Sequence, residues 1–448
     1  MNIRSAIVVM TMLVIYSCSQ DKVYLDTPLD QLLTHTLNKA SKTGEASYFV
    51  LPSSSDFSAI PQDSHNPLTE EKIKLGKMLF FETGLALSST KDAGHKTYSC
   101  ASCHVPSAGF RPGSAQGIAD GGVGFGRNGE NRKKIDAYRE WELDVQGVRP
   151  LSVLNVAFVE NTTWDGRFGG AGVNVNTAHR WSEENGTELN NEGLAALETQ
   201  NIEGLNVHRM EITNEVLDDY GYRDYFDAAF SDFPEAERYS KETASFAISA
   251  YLRTLLTNEA PFQHYLNGDK QALTEQEKKG ALLFFGKAKC FYCHREKNLG
   301  ANEFYAIGVK DLYETGKAFD TSIEDSSNLG RGGFTGRAED DYKFKIPQLY
   351  NLGDAPFYFH GSSFTDLREV VEYFNNGIPE NANVPPQQIA QQFRPLGMTQ
   401  EEVDDLTAFL ENGLQDPDLN RYVPDEVLSG FCFPNNDVFS RIELGCRD

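Results

Sequence analysis

The sequence predicts a mainly α-helical chain built from two related halves, with long loops between its helices. Three observations carry this. Apolar residues recur at helical spacing over 68–81, 239–257, 273–287, 365–375 and 399–411, while sustained strand alternation is scarce. One order of landmarks also occurs twice. Leu68-Thr69-Glu70 leads into Gly76-Lys77-Met78-Leu79-Phe80-Phe81 and then Cys100-Ala101-Ser102-Cys103-His104. Leu273-Thr274-Glu275 leads into Gly280-Ala281-Leu282-Leu283-Phe284-Phe285 and then Cys290-Phe291-Tyr292-Cys293-His294. The echo continues downstream, where Asn155 of Val153-Leu154-Asn155 stands nine residues before Trp164, and Asn351 of Leu349-Tyr350-Asn351 nine before His360. A repeated succession of this length reads as duplication.

Taken in order, residues 1–17 read as a targeting segment. Arg4 supplies a short basic region, Ala6 to Tyr16 is mostly apolar, and the segment is too short to span a bilayer as a mature helix. Cys18 follows Ser17 and resembles the lipobox residue of bacterial lipoproteins; the competing reading is an ordinary cleaved signal with an incidental Cys. Residues 18–60 are polar, Ser-rich and punctuated by Pro52 and Pro61, so they read as a tether with one short helix near 29–37, capped by Thr27 before Pro28. The two halves then occupy 61–258 and 259–424. Thr69 and Thr274 stand where an N-cap is needed, and Thr274 with Glu277 forms a capping-box pattern. The Gly-rich stretch 110–134 is a loop. Its Gly124-Phe125-Gly126-Arg127-Asn128-Gly129 string has no strand before it and no apolar helix after it, which argues against a nucleotide site. Residues 425–448 form a tail containing Cys432 and Cys446.

The chain has 448 residues, 40% apolar and 24% charged, enough for two ordinary domains with their own cores. A net charge of −24 with no basic stretch excludes nucleic acid as a partner. The seven cysteines divide into Cys18, the four of the repeated motif, and Cys432 with Cys446, for which export into an oxidising compartment permits a disulfide.

Cys-x-x-Cys-His is the attachment signature of a c-type haem. Two thiols form thioethers to the porphyrin vinyl groups, and the adjacent imidazole supplies the proximal iron ligand. Paired zinc knuckles are the alternative, but their halves usually lie within about 15–20 residues of each other and need no His directly after each. Here Cys103 and Cys290 are 187 positions apart. The two halves are then two haem domains.

The residues resemble the bacterial di-haem cytochrome c peroxidase family, including its MauG branch. The shared strings are Ser99 to His104, Leu154-Asn155 with Trp164-Asp165-Gly166-Arg167, Leu283 to Cys290, Phe344-Lys345-Ile346-Pro347 and Val370-Val371-Glu372-Tyr373. The resemblance spans about residues 61 to 412. It implies two mostly α-helical cytochrome-c-like domains, the first with a peroxidatic haem held by Cys100, Cys103 and His104, and the second with an electron-transfer haem held by Cys290, Cys293 and His294. It also implies Trp164 as an electron relay between the haems, Gln200 as a polar residue of the peroxide pocket, and Glu211 as the distal acid. The activity implied is reduction of hydrogen peroxide with electrons from a small cytochrome c or copper protein; the leader and Cys18 put it in the bacterial cell envelope on a lipid-anchored chain, facing the periplasm or the cell surface, and a homodimer is left open.

The chain departs from the family in three places. No His lies between His104 and His179 to close the peroxidatic iron. The sixth-ligand position of the second haem falls on Phe374 or on Tyr373, according to whether counting starts from His360 or Pro356; the apolar face Leu367, Val370, Val371, Phe374 turns Phe374 inward. The family's calcium uses an Asn side chain where this chain has Arg149, fifteen residues before Trp164, with Asp354 as a substitute ligand. A MauG-like oxidase of a protein or small molecule is the second reading, and a non-catalytic di-haem electron carrier the third.

Overall fold

The computed structural model describes residues 26–446; the leader 1–17 and Cys18 lie outside them. The helices run α1 (Pro28–Ala40), α2 (Glu70–Phe81), α3 (Ala196–Val207), α4 (Arg223–Ala229), α5 (Lys241–Arg253), α6 (Pro261–Leu266), α7 (Glu275–Phe285), α8 (Arg331–Thr335), α9 (Leu367–Asn376), α10 (Gln400–Ala408) and α11 (Val438–Leu444). Named strands are confined to two antiparallel ribbons, β1 (Gly122–Val123) with β2 (Lys133–Lys134) and β3 (Ala301–Tyr305) with β4 (Phe344–Ile346). The chain is helix-rich with little sheet, and no described helix is long and apolar enough to cross a membrane.

Each half is organised by one tight helix crossing. α2 lies against α5 at Gly76, where an added Cβ would sit 1.8 Å from the Ala247 carbonyl oxygen. α7 lies against α10 at Gly280, where it would sit 2.0 Å from the Asp405 carbonyl oxygen. Backbones can touch there only because neither glycine has a side chain. Thr69 and Thr274 cap the two entering helices, their hydroxyls accepting from the Lys72 and Glu277 amides at 3.2 Å each, and Thr274 with Glu277 forms the full capping box. Such a cap contributes about 1 kcal/mol. The exiting turns match as well: Asn155 (φ 57°) and Asn351 (φ 53°) are left-handed, and their amides donate to Leu255 just beyond α5 and to Leu414 beyond α10.

Instead of hanging free as the tether expected over 18–60, the described part of this segment packs against the second half through Leu33 to Leu51 and against the first half through Ile60, which clusters with Leu68, Ala157 and Ala250. Thr27 caps α1 in a capping box with Asp30. Leu33, Leu37, Phe49 and Leu51 are buried in the core of α7 and α10, with Phe49 5.1 Å from Phe285. Few apolar residues among many polar ones were enough, because these four fall on the covered side, while Leu32 is left exposed. α3 carries no strong apolar stripe and was not legible as a helix. It is held to α5 by a buried ion pair, Arg253 with Glu198, which also accepts from Asn66 at 3.2 Å.

The tail closes over the first Cys-x-x-Cys-His turn. Cys432 and Cys446 are joined by a disulfide. Thr83 donates to the Cys432 carbonyl, Ser99 and Ser102 to that of Pro434, and the Asn436 amide to that of Thr97. Asp437 accepts from the Gly124 amide, and one Glu443 oxygen from those of Phe125 and Gly126. The Gly-x-Gly-x-x-Gly string is therefore a loop whose amides are engaged by carboxylates of this chain.

Replacing Gly76 or Gly280 by Ala forces a helix pair apart. Each change is expected to cost about 3 kcal/mol and to lower the thermal unfolding midpoint measured by circular dichroism, whereas Ala at Gly193, which meets nothing within 4 Å but has φ +75°, costs only backbone strain.

Candidate functional site

Both Cys-x-x-Cys-His motifs form a short 3-10 turn, Cys100–Ser102 and Cys290–Tyr292, followed by the His. Ser99 and Ser102 brace the first: the Ser99 amide donates to the Ser102 hydroxyl at 3.0 Å. Each His ring is then oriented by a main-chain carbonyl, His104 Nδ1 to Phe110 O at 3.2 Å and His294 Nδ1 to Leu299 O at 2.8 Å. A carbonyl only accepts, so Nδ1 holds the proton and Nε2 presents a bare lone pair. Burial pushes both imidazoles down to about 4, keeping them neutral. Phe80 and Phe284, from the Leu-Phe-Phe ends of α2 and α7, stand 6.4 Å from their respective His rings. Cys100, Cys103, Cys290 and Cys293 are free of disulfides, and burial pushes the first three thiols up to about 12.

A cavity of about 660 Å³ opens beside the first turn. Cys100, Cys103 and His104 line it, together with Trp164, Gln200, His208, Arg149 and Lys345. The second turn itself does not, but Asn298 and Ala301 just after it do. Two buried nitrogen atoms on the lining residues have no hydrogen-bond partner, Lys345 Nζ and Arg149 Nε. Burial, with the Arg331 guanidinium nearby, pushes Lys345 down to about 7. Leaving such donors unpaired is costly, and a planar group carrying carboxylates would satisfy them. The paired thiols, the neutral imidazole and the orphaned cations all fit a c-type haem with its propionates.

The expected site residues are divided by the structure. Trp164 borders the cavity, its indole donating to the Arg149 carbonyl at 2.6 Å and its ring 6.0 Å from His360. Gln200 borders it from α3. Glu211 does not: its carboxylate accepts from Ser88 at 3.2 Å and pairs with Lys241 at 3.0 Å. The cause is local. α3 ends at Val207, Arg209 turns left-handed (φ 55°), and the Glu211 amide then pairs with the Leu85 carbonyl, so Met210 goes into the core and Glu211 to the surface. On α9, Tyr373 lies deeper than Phe374, contrary to the apolar-stripe expectation, because it joins a cluster with Phe364 and Phe393 while its phenol donates to the Ile307 carbonyl at 2.7 Å. Sequence reasoning passed over Lys345, although it stands in the Phe-Lys-Ile-Pro string, and over His208 with Asp144, which no spacing could have joined.

Calcium does not fit this chain. Ca²⁺ takes six to eight oxygen ligands, and Arg149 brings a buried cation to the place of the expected Asn. Its guanidinium donates to the Pro112 carbonyl, its amide to that of His360 at 2.7 Å, and its own carbonyl accepts the Trp164 indole. Asp354, the expected substitute, already accepts from Asn351 at 2.9 Å and Gln415 at 2.8 Å. A divalent ion would be repelled by the guanidinium and would find these oxygens engaged. The holoprotein is expected to keep its optical spectrum after EGTA treatment and to carry no stoichiometric calcium by elemental analysis; loss of one calcium per chain with a spectral shift would contradict this.

Known proteins give the same picture. The family model described as di-haem cytochrome c peroxidase matches residues 70–271. The methylamine utilization protein MauG of Methylorubrum extorquens is 27% identical over 362 residues, 80% of this chain and 82% of that one. Cytochrome c551 peroxidase of Pseudomonas aeruginosa is 26% identical over 391 residues, 86% of this chain and 91% of that one. Among solved structures, a MauG-like protein associated with microbial copper homeostasis superposes with a TM-score of 0.58 at 25% identity, covering 82% of this chain and 95% of that one. The two relatives' matches run through both Cys-x-x-Cys-His turns and the family model through the first, and together with the cavity beside the first turn they make this chain similar to the di-haem cytochrome c peroxidase family, which includes MauG.

Proposed function

We propose that the protein reduces hydrogen peroxide to water, with electrons delivered singly by a small cytochrome c or copper protein. The carrying observation is the placement of Trp164. It borders the first-turn cavity, yet its carbonyl accepts the Lys345 amide of β4 at 2.8 Å and its ring meets Phe344 and His360 of the second half. A rigid aromatic held by both halves suits electron passage between two unequal redox sites. When bound, the haems supply the redox chemistry; the chain sets their ligation, proton supply and access. In this reading Cys100, Cys103 and His104 hold the peroxidatic haem, and Cys290, Cys293 and His294 the electron-transfer haem. Lys345 and Arg149 neutralise propionates, and the Gln200 amide holds peroxide in the cavity.

The two halves, in this proposal, descend from one duplicated cytochrome-c-like unit. The matched glycine crossings, Thr caps, His-to-carbonyl bonds and left-handed Asn turns support it. Export is supported by the Cys432–Cys446 disulfide, which belongs to an oxidising compartment, and the lipid anchor is read from Cys18 after the apolar leader.

A MauG-like oxidase acting on a protein or small molecule is the second reading. What favours it is α9, which offers Tyr373 and Phe374 in place of a thioether, and a haem without a thioether ligand is a stronger reductant.

The test uses the ferric holoprotein. Stoichiometric peroxide is added, then reduced cytochrome c, with optical and EPR detection. The proposal expects peroxide consumption and oxidation of two cytochromes per peroxide. A spectral response to peroxide without cytochrome oxidation selects the oxidase, and no response at either haem rejects both. Trp164→Phe is expected to slow cytochrome oxidation while leaving the first reaction with peroxide near its original rate.

A further inference from the structure

His208 and Asp144, 64 positions apart, meet at the cavity wall with His208 Nδ1 2.7 Å from Asp144 Oδ2. Both residues line the cavity that His104 and Gln200 line. Each is fixed independently of the other. Asp144 is paired through its backbone to Asp120 and Ala119, at 3.0 Å each, and its side chain is only 6% exposed. His208 ends α3, its amide donating to Gly204 at 3.0 Å and its carbonyl accepting the Tyr98 hydroxyl at 2.8 Å. A carboxylate accepts, so the Nδ1 proton lies toward Asp144 and Nε2 is the free acceptor. No described residue bonds to Nε2, and the ring is 34% exposed where it borders the cavity.

The charges around the ring favour this role. Burial pulls the His208 pKa down, but the Asp144 carboxylate and its hydrogen bond outweigh that and hold it above the ordinary 6.5. Arg209 opposes the rise, although it is paired with Asp120 at 3.2 Å. The remaining titratable neighbour is the His104 ring, which burial keeps neutral. Glu203 is a competing acid on the same cavity, with its pKa raised by burial and by Glu188.

We propose that His208, oriented by Asp144, is the proton-transfer residue of this cavity. It rests on the peroxide reading above. Its Nε2 takes a proton from one oxygen of hydrogen peroxide and returns it to the other, which departs as water when the O–O bond breaks. The overall balance is H2O2 + 2 e⁻ + 2 H⁺ → 2 H2O, with electrons from the reduced donor protein and protons from solvent; the dyad itself ends as it began. His208 touches the substrate and is the catalytic residue. Asp144 acts through it and is a positioning residue.

The test compares holoprotein with its His208→Gln, Asp144→Asn and Glu203→Gln variants by stopped-flow absorbance after peroxide mixing, across pH. The wild-type rate should fall as pH drops through the His208 pKa, because the protonated ring cannot accept. His208→Gln should react about a hundredfold more slowly and lose that acid limb, with its ferric spectrum unchanged. Asp144→Asn should keep the limb but move it to lower pH, since the carboxylate that raises the pKa is gone. A wild-type rate in His208→Gln, or slowing in Glu203→Gln alone, overturns the proposal while leaving the peroxidase reading intact. So does a changed ferric spin state in His208→Gln, which would make it an iron ligand. A wild-type protein inert to peroxide overturns both readings.

Discussion

The approach of two backbones at Gly76, and again at Gly280, is the constraint on which both halves depend. Helix axes that close set the depth of the Leu-Phe-Phe segment that follows each glycine. That depth brings Phe80 and Phe284 to the same 6.4 Å from the motif imidazoles. The imidazoles are then turned by carbonyls a few residues downstream. Nothing in this arrangement needs a charged group. It is a steric device, built from one missing side chain and two aromatic rings, that holds a neutral imidazole in each half and in the first sets it at the cavity wall.

Much of this was legible in the residue order because it is local. A Thr cap, a glycine within an apolar helix and a Cys-x-x-Cys-His turn each act within about twenty residues, and each predicted helix is present within a few residues of its expected ends. What escaped prediction is non-local or one residue wide. The expected distal acid, Glu211, was displaced by a single left-handed residue, Arg209, whose φ no pattern announces. The Asp144–His208 pair is made by a loop returning to the end of a polar helix. The segment 26–60 looked like a tether because its few apolar residues are spread among polar ones, although Leu33, Leu37, Phe49, Leu51 and Ile60 are buried.

The halves share a scaffold and differ in what surrounds it. The first has a largely apolar cavity into whose wall a His–Asp pair and the cations Arg149 and Lys345 are set. The second has an aromatic cluster of Phe364, Tyr373 and Phe393 around α9. Arg149 stands where the two meet, and its three backbone and side-chain bonds join the first-half loop, the Trp164 indole and the His360 turn. A guanidinium can occupy that position permanently, whereas an ion there would exchange with the medium. The same substitution that removes a metal site also removes a way for the environment to loosen the join between the halves.

The clasp formed by the tail has a consequence for how the protein is made. Ser99 and Ser102 reach carbonyl partners more than 330 positions downstream, on a segment closed by the Cys432–Cys446 bond. The amino-terminal half therefore cannot complete its packing until the tail has been made and folded back over the turn that carries Cys100 and Cys103. Maturation of the first half waits for synthesis of the second, so the order in which the sites are finished need not follow the order in which they are written.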